Sequence, residues 1–250
     1  MHHTDKNCNP FKLSQSQEEI DCGLFRIREQ QIDICLDMLK KRHALILSGN
    51  PGAGKTSLVR CGLIPSLKKE IEAGGDQMIP INFSPGNAPI ARLAKKLSQG
   101  GILHEEKDAE DIYSLATEEN LRNNERGLIH MLAQAKNPGK RFVFFVDHVE
   151  ELIKNPEFHN NLDFKDEVRL FFNLFLQLTQ HAHNSSYVIF NMRSRFISYT
   201  QQVPELSKTI NQGLYSLAPF TKREIKLIID YRLSKCNLVL SGNLREILFN

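Results

Sequence analysis

The sequence predicts an α/β fold in three layers, a five-stranded parallel sheet covered by helices on both faces. Three observations carry this expectation. Short apolar runs recur at residues 44–48, 78–83, 142–146, 187–191 and, more weakly, 215–217. They are continuous rather than alternating, as strands buried on both faces are. Longer stretches with apolar residues at helical spacing separate them, and strands that alternate with helices point to a parallel sheet.

Residues 1–20 read as a polar leader. From 23 to 39, Leu24, Ile27, Ile32, Leu36 and Leu39 recur at roughly helical spacing. The first strand stops at Gly49, where a glycine-rich loop and then a helix begin. Gly62 and Pro65 are expected to kink or break that helix, and Gly74-Gly75 ends the unit. After the second strand, Ser84-Pro85-Gly86-Asn87 turns the chain, and Pro89 opens a helix reaching Leu97. Residues 102–136 read as two helices closed by Asn137-Pro138-Gly139. The stretch 164–181 is helical. Its Leu- and Phe-rich part, 168–178, is shorter than the ~20 residues that span a bilayer and carries Asn173 and Gln177, so it reads as a buried helix. Thr221-Lys222-Arg223-Glu224 matches a capping box and opens a further helix. The expected division is a leader over 1–20, a main domain over 21–217 and the start of a helical lid over 218–250. The amphipathic segment 243–250 ends with the sequence, so the lid is expected to be incomplete.

Composition narrows the possible functions. Thirty-two basic and 29 acidic side chains give a formal net charge of +3. That balance is too even to imply nucleic acid or an anionic membrane as partner. The runs Lys40-Lys41-Arg42, Lys68-Lys69 and Lys95-Lys96 read as solvated helix ends or faces. The five cysteines are widely spaced with no Cys-x-x-Cys pair, which argues against a metal site or disulfide framework and for a reducing cytoplasm. The first ten residues lack the apolar core of a signal peptide.

Two motifs carry chemistry. Gly49-Asn50-Pro51-Gly52-Ala53-Gly54-Lys55-Thr56 satisfies the phosphate-loop pattern, with a strand before it and a helix after it. Glycines allow a tight turn whose N–H groups point at an anion. The helix beginning near Lys55 adds its positive end. Lys55 suits the β- and γ-phosphates of ATP, and the Thr56 hydroxyl suits Mg2+. Asp147 closes the apolar run 142–146, where its carboxylate can hold the same magnesium ion. Hydrolysis also needs a group that orients or deprotonates water. His148 follows Asp147, while Glu150 and Glu151 lie three and four residues on; if the chain turns helical there, both return toward the Asp side and are candidate bases. At the end of the fourth strand, Arg193, with Arg195 as the alternative, is placed to sense a γ-phosphate if that strand lies between the first and third. No Asn-Lys-x-Asp guanine-reading motif occurs, which disfavours a GTPase.

Over about residues 23–240 the chain resembles the novel STAND NTPases, a branch of the signal-transduction ATPases with numerous domains. Leu24-Phe25-Arg26-Ile27-Arg28-Glu29 is similar to the family's Phe-Gly-Arg-Glu segment, with Ile27 in place of the usual glycine. Ser57-Leu58-Val59-Arg60-Cys61-Gly62-Leu63-Ile64-Pro65-Ser66-Leu67 closely follows the family's stretch after the phosphate loop. Asp147-His148-Val149-Glu150-Glu151-Leu152 resembles Asp-Gln-Phe-Glu-Glu-Leu, Met192-Arg193-Ser194-Arg195-Phe196 resembles the strand-end arginine segment, and Leu217-Ala218-Pro219-Phe220-Thr221 resembles the start of the lid. The resemblance implies a P-loop NTPase sandwich. It also implies a role for Arg28 near the adenine and for Ser57 beside the phosphates. It further implies Mg-ATP as ligand, slow hydrolysis, and a switch between an effector and a sensor domain with nucleotide-driven self-association. A nucleotide-binding scaffold without turnover is the alternative.

Overall fold

The computed structural model describes residues 27–99, 102–103, 110–135, 139–181, 186–235 and 238. The expected leader, Leu24 to Arg26, Asn137-Pro138 and the closing segment 243–250 lie outside the described residues.

Helix α1 (Glu29–Arg42) leads into β1 (Ala44–Gly49), the phosphate loop and a helical stretch made of α2 (Lys55–Ser57), a π-helical segment (Leu58–Leu63) and α3 (Ile64–Ala73). Strand β2 (Gln77–Phe83), α4 (Pro89–Ser98), α5 (Glu110–Asn123) and α6 (Gly127–Gln134) follow. Next come β3 (Lys140–Val146), α7 (Glu150–Lys154), α8 (Glu157–Asn160) and the long α9 (Leu162–His181). Strand β4 (Ser186–Arg193), a 3-10 helix (Ser194–Gln202), α10 (Pro204–Gln212), β5 (Leu214–Leu217) and α11 (Lys222–Lys235) are the remaining described elements.

The five strands pair in parallel in the order β2-β3-β4-β1-β5. Burial on both faces is the reason β1, β3 and β4 are apolar without alternation, whereas the edge strands β2 and β5 keep exposed positions. Leu45, Leu47, Val143, Phe145 and Ile189 face one core, against α1 and the helix after the phosphate loop. Ile46, Phe144, Val188 and Phe190 face the other, against α4, α9 and α10. In that second core Phe171, Phe172 and Phe175 of α9 pack edge-on against Phe83, Phe144 and Phe190. The stretch 168–178 is thus a buried helix, and no described helix is long and apolar enough to cross a membrane.

One expectation needs correction. Gly62 and Pro65 do not break the helix after the phosphate loop. Gly62 is buried against α1, where a Cβ would sit 2.6 Å from Ile32 Cδ1, so glycine serves close packing. Pro65 falls directly after the π-helical segment, and the helix continues through it to Ala73.

The register aligns the ends of the central strands. Gly49 pairs with Arg193, and Val146 pairs with both Phe190 and Phe83. Because β4 lies between β1 and β3, the residue after each strand end meets its neighbours on one rim of the sheet. Ligands of open parallel sheets bind at this carboxyl rim.

Candidate functional site

The loop leaving β1 turns through Gly52 (φ 78°) and Gly54 (φ 81°), left-handed positions that suit glycine. Gly54 is doubly constrained, because a Cβ there would lie 2.7 Å from the Phe220 ring. Lys55 is buried, and its Nζ donates to Gly49 O at 2.8 Å and Asn50 O at 3.2 Å. Burial pushes the Lys55 ammonium below its ordinary value; Glu150 and Asp147 oppose the shift, and Arg193 adds to it. A polyanion in the loop would therefore meet a cation that gains from being neutralised.

Asp147 is 6% exposed at the end of β3, with its N–H bonded to Phe83 O at 2.9 Å. The Thr56 hydroxyl donates to Asp147 Oδ2 at 3.0 Å. Asn191 of β4 ties the pair together: its Nδ2 donates to Asp147 Oδ1 and, at 3.2 Å, to Thr56 Oγ1. Asn191 Oδ1 is buried with no hydrogen-bond partner. Such a group is costly unless something satisfies it. A hydroxyl and a carboxylate side by side form a hard oxygen donor set, and the orphaned amide oxygen beside them suits the water shell that magnesium keeps. The residues therefore fit a magnesium ion, which Thr56 and Asp147 would be placed to hold.

The chain leaves β3 through His148, whose φ of 60° is unusual for a side-chain-bearing residue. That turn starts α7 at once and folds Glu150 back beneath the loop. Glu150 is 2% exposed and meets Arg193 twice, with Arg193 Nε at 3.1 Å from Oε1 and the Arg193 N–H donating to Oε2 at 3.3 Å. His148 is half-exposed between the two acids, its Nε2 3.9 Å from Asp147 Oδ2 and its Nδ1 4.0 Å from Glu150 Oε1. Glu151 does not join them. Neighbouring helical residues point about 100° apart, so with Glu150 inside, Glu151 is exposed and stands outside the cleft. The expectation that both acids return to the Asp side is corrected to Glu150 alone. Arg195 is exposed and lies over Phe196 instead of entering the cleft.

Arg28 is committed to protein partners. It is 2% exposed and donates to Ala53 O at 3.1 Å and to Ala218 O at 3.0 Å. Its guanidinium stacks over Phe220 at 3.8 Å, and Nε lies 3.6 Å from Glu224 Oε1. Arg28 thus joins α1, the phosphate loop and the foot of α11. That foot is capped as expected, with Thr221 Oγ1 accepting from Glu224 N at 3.2 Å and the Glu224 carboxylate accepting from Thr221 N at 2.6 Å.

Pro51, Gly52, Gly54, Lys55, Thr56 and Ser57 line one wall of a cleft of about 430 Å³, and His148, Glu150, Asn191, Arg193 and Phe220 close it. Sequence reasoning passed over two of these residues. Asn191 carried a signal, being an amide side chain at the end of the otherwise apolar run 187–191. Phe220 carried none, because only the return of the chain over Gly54 makes it a wall.

The sequence pattern of the family described as Novel STAND NTPase 1 matches residues 10–250. The chain belongs to the novel STAND NTPase 1 family. No curated protein sequence matches it. Solved structures similar to this STAND chain include the Aeropyrum pernix ORC1 protein in complex with DNA, at 14% identity and a TM-score of 0.54 over 83% of this chain and 49% of that one. The Aeropyrum pernix ORC2 protein in ADPNP and ADP complexes is similar at 15% identity and a TM-score of 0.54, over 92% and 55% of the two chains. The Trip13-containing HORMA:CdnC complex of E. coli MS115-1 is similar at 10% identity and a TM-score of 0.50, over 94% and 77%. At these identities the likeness shows the fold, that of a P-loop NTPase. The STAND chain spans about half the length of the archaeal proteins it matches. The expectation from net charge that nucleic acid is not a partner gains no support here, since one of these proteins was solved with DNA.

Proposed function

We propose that this STAND NTPase binds Mg-ATP in the cleft beneath the phosphate loop and hydrolyses it slowly, as a cytoplasmic nucleotide-controlled switch. One observation carries the proposal. Residues from three separate strand ends converge on one rim: Thr56, Asp147 and Asn191 share hydrogen bonds, Glu150 pairs with Arg193, and Lys55 lines the same cleft as Thr56, Glu150, Asn191 and Arg193.

The loop N–H groups and Lys55 would cradle the phosphates, with Ser57 beside them. Magnesium, held by Thr56 and Asp147, would supply positive charge to the β- and γ-phosphate oxygens. Glu150, 2% exposed, is the base candidate. Its carboxylate is occupied by Arg193, and a γ-phosphate would compete for that arginine. Drawing Arg193 onto the phosphate would free Glu150 for water and register ATP rather than ADP. Effector and sensor domains, and self-association on ATP binding, are the partners proposed for the switch.

The Glu150–Arg193 pair also gives weight to a scaffold that binds nucleotide and does not turn it over, because a base held by an arginine is a poor base. Phosphate release under single-turnover conditions separates the two. Release that depends on magnesium and is lost in Lys55→Ala supports hydrolysis. Tight ATP binding with no release supports the scaffold. Equal ATP affinity for wild type and a folded Lys55→Ala variant in calorimetry would remove the cleft as the nucleotide site.

A further inference from the structure

A second cleft opens on the same rim of the sheet, at the end of the edge strand β2. Phe83, Ser84, Arg92, Lys95, Lys96 and Gln99 enclose about 440 Å³. It shares no residue with the nucleotide cleft. In the strand order β1 and β2 are separated by β4 and β3, which at ~4.8 Å per strand puts the two sites roughly 14 Å apart.

The chemistry of this cleft has one sign. Arg92, Lys95 and Lys96 stand at positions i, i+3 and i+4 of α4, so they share one helix face. Like charges at that spacing are mutually unfavourable. Among the described residues, no acid lines the cleft. Among the described residues, neither Lys95 nor Lys96 has an ion-pair or hydrogen-bond partner, although Lys96 is half-buried. The helix dipole favours lysines in the last turn, but it does not account for Arg92 a turn earlier or for the concavity. Arg92 is already positioned. It donates to Ser84 O at 3.4 Å and arches over Gly86, where a Cβ would lie 2.8 Å from the guanidinium carbon.

We propose that this cleft is an anion site that takes the phosphate group of a small phosphorylated ligand. Arg92 and the two lysines would supply charge-assisted bonds. The Ser84 hydroxyl and the Gln99 amide would supply neutral ones, and Phe83, packed edge-on against Phe171, would supply an apolar floor. Volume favours a small ligand, since the cleft matches the nucleotide cleft in size. The basic run at Lys95-Lys96 is then part of a ligand wall and not simply a solvated helix end.

The test is a titration of the full chain with inorganic phosphate, followed by amide NMR at low salt. Saturable shifts are expected at Ser84, Arg92, Lys96 and Gln99, separate from any shifts in the loop 49–56. Lys95→Gln/Lys96→Gln should weaken the first set at least tenfold, leave the loop set unchanged, and melt like wild type. Absence of shifts at the β2–α4 cleft, or shifts that persist in the double variant, would overturn the proposal. So would a short single-stranded oligonucleotide that shifts these amides with a steep salt dependence while phosphate does not, which would make the site a nucleic-acid contact. The loop amides report the nucleotide cleft independently, so failure of one site does not mask the other.

Discussion

Arg28→Ala is expected to destabilise the protein strongly while leaving the choice of nucleotide base unchanged. The resemblance to the STAND family implied a place for Arg28 near the adenine, and the structure gives it four protein partners. It holds two backbone carbonyls, Ala53 O in the phosphate loop and Ala218 O before the lid helix. It also covers the Phe220 ring and faces Glu224. A charge-assisted hydrogen bond contributes about 1.5–3 kcal/mol. Part of that is offset, because burial disfavours the guanidinium and lowers its pKa against the opposing pull of Glu224. Removing one partner from a buried, charged cluster leaves about 2–4 kcal/mol of net loss. For a domain of this size that is a fall in Tm of roughly 5–15 °C, at about 2–4 °C per kcal/mol. Thermal unfolding by circular dichroism without nucleotide reads it directly. Arg28→Lys should recover less than half, because an ammonium cannot reach both carbonyls with a planar fork. A Tm within about 2 °C of wild type, with an altered preference for ATP over GTP, would refute this reasoning and return Arg28 to the base.

Glu150→Gln should bind ATP at least as tightly as wild type, because it loosens the competing hold on Arg193, and release phosphate about 100-fold more slowly or worse, whereas Glu151→Gln should match wild type in both; quench-flow kinetics distinguishes them. Arg193→Ala should lower the ratio of ATP to ADP affinity by about tenfold, the loss of one charge-assisted bond, as read by calorimetry with each nucleotide. Asn191→Ala should weaken magnesium-dependent ATP binding, because it releases Thr56 and Asp147 from their shared donor; an unchanged magnesium titration would argue against that role. Burial pushes the Cys35 thiol up to about 12, so it stays protonated at pH 8. Iodoacetamide should therefore spare it in the folded protein and modify it only after unfolding, as mass spectrometry would show.

The sequence by itself determined the layers and the two motifs. Strands buried on both faces must be apolar throughout, so β1, β3 and β4 were readable as runs, β3 most clearly, while the partly exposed edge strand β5 gave only a weak signal. The phosphate loop was readable because its chemistry is local: glycine conformations, a following helix and a lysine lie within eight consecutive residues. The capping box at Thr221 was readable for the same reason. What lay beyond local reach was decided by β4 inserting between β1 and β3, which brings Asn191 against Thr56 and Asp147 and lets Arg193 engage Glu150. Spacing alone could not choose between Glu150 and Glu151, because the choice depends on the left-handed turn at His148 that sets the phase of α7. Nor could it find the Arg28 clasp or the wall at Phe220. Those contacts join residues about 190 positions apart, and hydrogen bonds of that span leave no periodicity in a sequence; they exist only once the sheet has closed and both cores have packed.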